Sequence, residues 1–430
     1  MDSPAEVILT SDATNKLTNC SIYDAKTGTL MSTYKGDNSA PKTLSLISSH
    51  YLISASVEKP LLNVWTVSKK IPKSSAHFIC PGSVTALSVS RSGRYCIGAI
   101  ENKIYVWQVE TGDLLAILSR HYQNITCFGF TTDEAFFLSG GEDGMVLVWY
   151  LSDVVSYQKE QDSKPHYSWH HHSAGVTDIY VGLLGAHARV ATVSHDMTCK
   201  LYELATGNIL CSVCMDLPLT SVAMDHFENF LLLGAQNGKI YKVNIFSQLP
   251  KELHYSQVSR KNAFVGHQKS VVCLSVSFSG KQILSGSDDK TCKVWDIETL
   301  TCLRTLHHEG PVTNAFFALK PHCLTAENVS PDFPIKEFSR VLFSEDDLDE
   351  MQTMYMSSKQ LPVHLSLMHA GSPDIYFSPI VQPDTERHVD EKINGIKDAY
   401  KEMKVINAQM YSHMLNSVYK DLEVCTSDSD

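Results

Sequence analysis

The sequence predicts an all-β fold, a seven-bladed β-propeller, followed by an extended Pro-rich and acidic arm and a C-terminal α-helix. Two observations predict the propeller: one strand pattern recurs along residues 1–320, and each recurrence carries an aromatic or apolar residue at the same point. These seven positions are Tyr23, Trp65, Trp107, Trp149, Tyr202, Val243 and Trp295. Their intervals of 42, 42, 42, 53, 41 and 52 residues approach the period of about 40–45 residues of four-stranded blades.

The clearest repeat lies between Gly266 and Asp296. Alternating apolar residues at 270–277 are followed by a Gly- and Asp-rich segment, 285–289, and a second apolar segment that ends in Trp295. Alternation that is bounded by such a turn predicts two antiparallel strands. The repeat is typical of WD-repeat proteins, which these residues resemble.

Three repeats share a finer pattern of polar residues. An Asp stands six residues before the aromatic, a Ser or Thr stands four residues before that Asp, and a His stands four residues before the first strand. The three sets are His121, Ser139, Asp143, Trp149; His172, Thr192, Asp196, Tyr202; and His267, Ser285, Asp289, Trp295. Resemblance to WD repeats implies that each set forms a hydrogen-bonded structural tetrad, in which every buried polar group needs its partner. Blades one, two and six depart from it, because Val243 replaces the aromatic and neither Leu17 nor Lys59 can act as the Asp.

The first blade must be closed by a strand from elsewhere in the chain. Strands near 7–11, 20–24 and 29–34 supply three of its four members, and the segment 311–317 resembles an innermost strand without a successor. We expect this segment to complete blade one and close the ring, since a closed ring leaves only short strand edges.

Two repeats are about ten residues longer than the others. The additional residues fall around 152–165 and 247–261, after the third strands of blades four and six. Connections of this kind open on one face of a propeller, where they are either docking elements or variable surface loops.

Beyond the ring, residues 321–383 are rich in proline and include the acidic run 344–350, which predicts an extended arm. Its apolar segment 333–343 is suited to lie against the propeller or against a partner. A helix is predicted over 384–424, with residues 425–430 as a disordered tail. Its core positions follow a heptad pattern in which only Asn407 is polar: Ile393, Ile396, Tyr400, Met403, Asn407, Met410 and Met414. Such a seam predicts a coiled-coil homodimer; the alternative is an amphipathic helix folded back on the propeller.

The sequence offers no convincing catalytic, cofactor or metal site. Ser139, His121 and Asp143 resemble a nucleophile, base and acid, but the same trio recurs twice, whereas an enzyme needs one site. Cys211 and Cys214 form a lone C-x-x-C without further zinc ligands and within an apolar segment, which favours core packing. In the triple histidine 170–172, His172 already fits a tetrad, and no phosphate-binding glycine motif occurs.

Composition and charge favour a soluble intracellular protein. Of 430 residues, 43% are hydrophobic and 19% are charged, which suffices for a large core. The net charge of −11 is unfavourable for neutralising phosphates, so direct sequence-specific nucleic-acid binding is not expected. The N-terminus lacks a signal peptide, no apolar run reaches the length of a membrane span, and twelve scattered cysteines indicate a reducing compartment.

Four segments resemble a more specific family: 114–123, 273–277, 310–315 and 404–407. They are similar to the WD-repeat subunits of the Rix-type complex of ribosome assembly. The resemblance implies a non-catalytic scaffold of the nucleus and nucleolus, with a cytoplasmic share left open, that serves large (60S) ribosomal subunit biogenesis. It implies a role in processing the internal transcribed spacers of pre-rRNA and in recruiting the AAA-type ATPase midasin.

The partners that the resemblance implies are a proline-, glutamate- and leucine-rich scaffold protein, a HEAT-repeat protein and pre-60S particles. No cofactor and no membrane contact are implied. The alternative function is a WD-repeat adaptor in DNA replication or checkpoint signalling. A hydrolase built on a propeller is the third class, and the recurrent tetrads argue against it.

Overall fold

The computed structural model describes residues 5–14, 20–67, 76–156, 164–245, 252–254, 263–324 and 335–342. Across these ranges the regular structure is almost entirely β. In chain order the strands are β1 Glu6–Asp12, β2 Cys20–Asp24, β3 Leu30–Tyr34, β4 Ser45–Ile47, β5 Tyr51–Ala55, β6 Leu61–Thr66, β7 Ala76–Ile79, β8 Val84–Val89, β9 Tyr95–Ile100, β10 Lys103–Gln108, β11 Leu114–Leu118, β12 Ile125–Phe130, β13 Phe136–Gly141, β14 Val146–Tyr150, β15 Tyr167–Trp169, β16 Val176–Val181, β17 Arg189–Ser194, β18 Thr198–Glu203, β19 Ile209–Cys214, β20 Leu219–Met224, β21 Phe230–Ala235, β22 Ile240–Asn244, β23 Glu252–His254, β24 Ala263–Phe264, β25 Val271–Val276, β26 Gln282–Ser287, β27 Thr291–Asp296, β28 Cys302–His307 and β29 Val312–Leu319. A short helix, α1 Leu151–Val155, and the 3-10 turns Gly185–His187 and His322–Leu324 complete the described elements.

These strands form seven sheets, which are the blades of a propeller. From the innermost strand outwards, the sheets are β29-β1-β2-β3, β4-β5-β6-β7, β8-β9-β10-β11, β12-β13-β14-β15, β16-β17-β18-β19-β23, β20-β21-β22-β24 and β25-β26-β27-β28. Each of the seven repeat positions, from Tyr23 to Trp295, lies on the third strand of its blade. The prediction of seven blades is therefore confirmed.

The hydrophobic core lies between blades rather than within any one of them. The second strands β5 and β13 are buried along their whole length, because a neighbouring blade covers each face, whereas the fourth strand β28 is largely exposed. Trp65 of blade two packs in one cluster with Val7 and Leu9 of blade one. Trp149 of blade four packs with Ile97 of blade three. Each blade consequently depends on its neighbours for burial of its apolar faces.

Ring closure follows the predicted route. Strand β29 pairs antiparallel with β1, with Ile8 opposite Phe317 and Thr10 opposite Ala315. The Ser11 and Thr313 hydroxyls meet at 2.9 Å, which joins two chain segments 302 positions apart. Blade one thus combines residues from both ends of the ring, so that no strand edge is left open at the junction.

The two long connections, in blades four and six, form different structures. In blade four, α1 follows β14 directly and buries Leu151 and Val154. In blade six, β23 leaves its own blade and pairs parallel with β19 of blade five, with Val213 opposite Leu253. The long connection of blade six therefore adds a fifth strand to blade five, a feature that the sequence pattern did not predict.

Most of the region after the ring lies outside the described residues. This holds for the predicted helix 384–424, its seam from Ile393 to Met414, the tail 425–430 and most of the arm 321–383. Two parts of the arm are described: the turn after β29, in which Cys323 and Leu324 are buried against blades one and two, and residues 335–342. Within the described residues, no helix is long and apolar enough to cross a membrane.

Candidate functional site: tetrads, channel and arm groove

Blade seven contains a complete hydrogen-bonded tetrad. The Nδ1 atom of His267 lies 2.8 Å from a carboxylate oxygen of Asp289, and its Nε2 atom lies 2.7 Å from the Ser285 hydroxyl. The Trp295 indole N–H donates to the same hydroxyl at 2.8 Å. The chain of hydrogen bonds from indole through hydroxyl and imidazole to carboxylate links strands β26 and β27, the turn between them and the loop that precedes the blade.

Blade four repeats this geometry. His121 Nδ1 lies 3.0 Å from Asp143, His121 Nε2 lies 2.8 Å from Ser139, and the Trp149 indole N–H donates to Ser139 at 3.2 Å. Asp143 also accepts the backbone N–H of Tyr122 at 3.0 Å. The carboxylate thereby fixes both the imidazole and the loop that carries it.

In blade five a tyrosine takes the place of the tryptophan. His172 lies 2.9 Å from Asp196 through Nδ1 and 2.8 Å from Thr192 through Nε2. The Tyr202 hydroxyl meets His171 Nδ1 at 3.2 Å, and the Tyr202 ring stacks on Trp169 with centroids 4.0 Å apart. Burial raises the pKa of the Tyr202 phenol well above its ordinary value.

Burial and hydrogen bonding act in opposite directions on the tetrad carboxylates. Burial raises the pKa of Asp289, but hydrogen bonds from Thr291, from the Gln268 N–H and from His267 outweigh burial and hold this pKa below its ordinary value. The same balance lowers the pKa of Asp143 and of Asp196. Burial lowers the pKa of His267 despite the Asp289 carboxylate, which favours the neutral imidazole. In blade seven the pair therefore consists of a neutral imidazole and an ionised carboxylate.

These Ser–His–Asp sets cannot present a nucleophile to a substrate. The side chains of Ser139, Thr192 and Ser285 are fully buried, at 0% exposure. In blades four and seven the serine oxygen also accepts a hydrogen bond from an indole N–H. The arrangement fits a structural role.

Blade one contains an incomplete tetrad that sequence reasoning missed. His308 stands four residues before Val312, which opens the innermost strand, and this is the offset of the complete tetrads. Thr10 lies opposite Ser21, which is two residues before Tyr23. In blade seven, Ser285 likewise lies opposite Lys293, which is two residues before Trp295. Within the described part of the chain, Thr10 Oγ1 and His308 Nε2 are both buried without a hydrogen-bond partner.

A second network of hydroxyl groups joins neighbouring blades around the central channel. The second residue of four innermost strands is a threonine whose hydroxyl donates to a carbonyl of the next blade. These bonds are Thr85 to Ile125 at 2.8 Å, Thr126 to Val176 at 2.6 Å, Thr177 to Leu219 at 2.9 Å and Thr220 to Val271 at 2.6 Å. The signal was present in the sequence as an apolar residue followed by Thr at the start of each strand.

The channel mouth holds one ion pair between distant blades. Lys42 Nζ, before blade two, lies 2.8 Å from Asp178 of blade five and also donates to the Thr177 carbonyl. The other Asp178 oxygen accepts the Val222 N–H at 2.9 Å. Lys42 and Thr177 border a cavity of about 330 Å³. The rest of its lining includes threonine hydroxyls, apolar side chains, the Asn124 amide and the exposed carboxylate of Glu142.

Residues 335–342 occupy a groove on the outer side of blades two and three. Phe338, 3% exposed, stacks on Trp107 with centroids 5.3 Å apart and also contacts Phe78 at 5.3 Å. The Trp107 indole N–H donates to the Ser339 carbonyl at 2.9 Å, and the Ser339 N–H donates to the Gly112 carbonyl at 2.7 Å. Of the two alternatives for this segment, the structure shows contact with the propeller. Blade three lacks tetrad residues, and the arm supplies the partner of its indole.

The remaining candidate motifs are part of the fold. Cys211 is buried on β19, and burial raises its pKa to about 11; Cys214, at the end of the same strand, is half-buried. His170 bonds Ser168 at 2.7 Å, while His171 and His172 belong to blade five. Across the described ranges no group of three or more His, Cys, Asp or Glu residues is arranged to hold a metal ion.

Comparison with known proteins is consistent with this geometry. The family model described as "WD domain, G-beta repeat" matches residues 112–150 and 258–296, and each match contains one complete tetrad with a tryptophan. The chain is 39% identical to WD repeat-containing protein 18 of Danio rerio, over 83% of each chain. It is 36% identical to WD repeat-containing protein 18 of Homo sapiens, over 87% of this chain and 86% of the relative. It is 26% identical to the pre-rRNA-processing protein pro-1 of Caenorhabditis elegans, over 70% of this chain and 59% of the relative.

Proposed function

The chain belongs to the WD repeat-containing protein 18 family, and from this membership we propose that it is a non-catalytic scaffold in pre-rRNA processing. The observation that carries the proposal is identity of 36–39% over more than four fifths of the chain with proteins of this family. A more distant relative named as a pre-rRNA-processing protein supports the process.

The geometry supports a scaffold rather than an enzyme. The three Ser–His–Asp or Thr–His–Asp sets are engaged in hydrogen bonds within their own blades, and their hydroxyl groups are buried. What the propeller offers to other molecules is surface: two rims of loops, an outer groove that already holds one peptide segment, and the mouth of a channel. Rigid scaffolds that present loops are suited to binding.

In its finer form the proposal covers the maturation of the large ribosomal subunit. The protein acts in the nucleus and nucleolus, supports processing of the internal transcribed spacers and helps to recruit the AAA-type ATPase midasin. Its partners are a proline-, glutamate- and leucine-rich scaffold protein and a HEAT-repeat protein on pre-60S particles. This finer form rests on the family resemblance.

Sedimentation of the endogenous protein through a sucrose gradient tests the proposal. We expect it to migrate with precursors of the large subunit, and we expect its depletion to increase the amount of unprocessed spacer-containing pre-rRNA. RNase treatment before the gradient provides the control, since it should shift the protein to lighter fractions. Migration with chromatin instead, with unchanged pre-rRNA, would support the replication or checkpoint adaptor and contradict the proposal.

A further inference from the structure

The groove that holds residues 335–342, which we call the arm groove, is formed by four residues of blades two and three: Phe78, Trp107, Gly112 and Leu114. Its tryptophan differs from that of blade seven, where the Ser285 hydroxyl accepts the Trp295 indole N–H. The position of blade three that corresponds to Ser285 is Gly98, because each stands two residues after the strand partner of its tryptophan. A Cβ atom added at Gly98 would lie 2.9 Å from the Trp107 ring. Gly98 thus makes room for the indole but has no hydroxyl to offer it.

A peptide carbonyl takes the place of that hydroxyl. The Trp107 indole N–H donates to the Ser339 carbonyl at 2.9 Å, and the Ser339 N–H donates to the Gly112 carbonyl at 2.7 Å. Gly112 has a φ of +82°, and a Cβ atom there would collide with the backbone of the docked segment. Leu342 then forms a parallel bridge with Leu114 of β11. The groove therefore binds the main chain of an extended segment, as in other cases where a peptide is added to a sheet edge.

The side chains of the docked segment differ in what they contact. Phe338, 3% exposed, stacks on Trp107, and Ile335, three positions earlier, packs against the same apolar cluster. The other side chains of residues 335–342 are exposed or half-buried, with Val341 at 76% exposure. The contacts thus select an aliphatic residue and, three positions later, a phenylalanine.

The docked segment is an addition to a blade that is already complete. Blade three has its four strands, β8 to β11, without it. The segment joins the outer strand β11 in the parallel sense, just as β23 joins the outer strand β19 of blade five. Because the segment belongs to none of the four strands, it can leave the groove without breaking a strand pairing of the ring.

We propose that the arm groove is a binding site for an extended segment of a partner protein that carries an aliphatic residue three positions before a phenylalanine, and that residues 335–342 are its displaceable intramolecular occupant. The partner's phenylalanine takes the place of Phe338 against Trp107 and Phe78, and a carbonyl of its backbone accepts the indole N–H. The arm weakens binding of the partner, because only the fraction of molecules with a released arm is competent to bind. The inference goes beyond the proposed function, since recognition of such a segment does not depend on the process that the scaffold serves.

A fluorescein-labelled peptide with the sequence of residues 332–342 tests the proposal by fluorescence anisotropy on the full chain. Phe338→Ala in the protein frees the groove, so this variant should bind the peptide on the order of tenfold more tightly than the unmodified chain, or more. In the peptide, Phe338→Ala should weaken binding by on the order of tenfold or more, and Ile335→Ala should weaken it as well. Val341→Ala in the peptide, at an exposed position, is the matched control and should leave binding unchanged. Peptides selected from a random library on the same protein variant should carry Ile, Leu or Val three positions before Phe.

A second measurement uses the unmodified chain, so that it does not depend on the folding of a variant. Excess peptide with Lys336→Gln and Arg340→Gln, which trypsin does not cut, should displace the arm and accelerate tryptic cleavage of the protein after Lys336. The same peptide with Phe338→Ala should not. Equal affinity of the peptide for both protein chains, selection of a different sequence pattern, or unchanged cleavage overturns the proposal. Dimers that Met403→Glu leaves intact and that Phe338→Ala abolishes would assign the groove to the arm of a second copy instead.

Discussion

In the tetrads of blades four and seven, one serine hydroxyl holds the set together, because it bonds the imidazole on one side and the indole on the other. In blade seven this group belongs to Ser285. Within the described residues, the equivalent group of blade one, Thr10, is buried without a partner. Two residues at the same place in their blades therefore have opposite energetic roles, since an unsatisfied buried polar group costs free energy and a satisfied one stabilises.

This contrast gives a prediction. Ser285→Ala should lower the free energy of unfolding by about 1–3 kcal/mol, because it leaves His267 and Trp295 with unpaired buried groups. Thr10→Val keeps the shape and removes only an unpaired hydroxyl, so stability should be unchanged or slightly higher. Urea unfolding followed by tryptophan fluorescence measures both. Equal losses in the two variants would show that the tetrad bonds contribute nothing specific.

The ionisation of the tetrads predicts a dependence of stability on pH. The pKa of Asp289 is lowered in the folded protein, so the stability it contributes is present above its unfolded pKa and is lost as pH falls through its folded pKa. The lowered pKa of His267 acts in the same direction from about pH 6.5 downwards, because only the unfolded chain takes up that proton readily. Unfolding free energy should therefore decrease from pH 7 to pH 4 and decrease further below it. Asp289→Asn should show a shallower decrease below pH 4; an equally steep one would contradict the assignment.

At the scale of elements, blades without tetrads find other partners for their indole groups. Trp65 donates to the Lys35 carbonyl at 2.6 Å, which comes from the adjacent chain segment. Trp107 takes its acceptor from residue 339, 232 positions away. The stability of blade three thus depends on a segment outside the ring, and the arm depends on Phe338 to stay docked.

Substitution of Phe338 should release the arm. Phe338→Ala removes a buried ring that contacts Trp107 and Phe78, a change that costs about 3–5 kcal/mol in a well-packed core. Trypsin should then cleave after Lys336 and Arg340 roughly a hundred times faster or more, because a loss of this size shifts the equilibrium between docked and released arm by at least that factor. Val341→Ala, at a position 76% exposed, is the control and should leave cleavage unchanged. Equal cleavage of both variants would mean that Phe338 does not anchor the arm.

For the whole molecule, closure of the ring is the decisive contact. A chain that ends at residue 309 lacks β29 and leaves β1 with an open edge, so it should aggregate. A chain that ends at residue 328 keeps β29 and the turn at Cys323 and should remain soluble. Size-exclusion chromatography distinguishes the two, and identical behaviour would contradict the importance of the β29–β1 pairing.

The assembly state is a further prediction for the whole molecule, and it rests on the sequence of residues 384–424 alone. Burial of the seam from Ile393 to Met414 against a second copy would pair Asn407 with its counterpart. Light scattering at micromolar concentration should give twice the chain mass of 47.8 kDa. Met403→Glu, on the seam, should give the monomer mass, whereas Gln409→Glu, off the seam, should not. A monomer mass for the unmodified chain would make the helix a docking element for another protein.

Features of the fold that depend on short distances along the sequence could be predicted from the sequence. The tetrads span at most 31 residues each, and the repeat positions, at intervals of 41 to 53 residues, located the third strand of every blade. Contacts that join remote segments could not be predicted, because no local pattern accompanies them. Examples are the contact of Lys42 with Asp178 and that of the arm with Trp107. The three residues of β23 are too few to show any strand periodicity. His308 could have been found by its offset of four residues from Val312. It was missed because Leu17 stands six residues before Tyr23, where the complete tetrads have Asp.

Blade one also has a consequence for synthesis on the ribosome. Strand β1 leaves the exit tunnel about 300 residues before β29, its innermost neighbour. At translation rates of about 5–20 residues per second, its edge stays unpaired for roughly 15–60 s. During that time the nascent chain carries an apolar strand, with Val7, Ile8 and Leu9 destined for the core. Cellular yield of this protein should therefore depend on a chaperone that shields its first residues until the last strand is made.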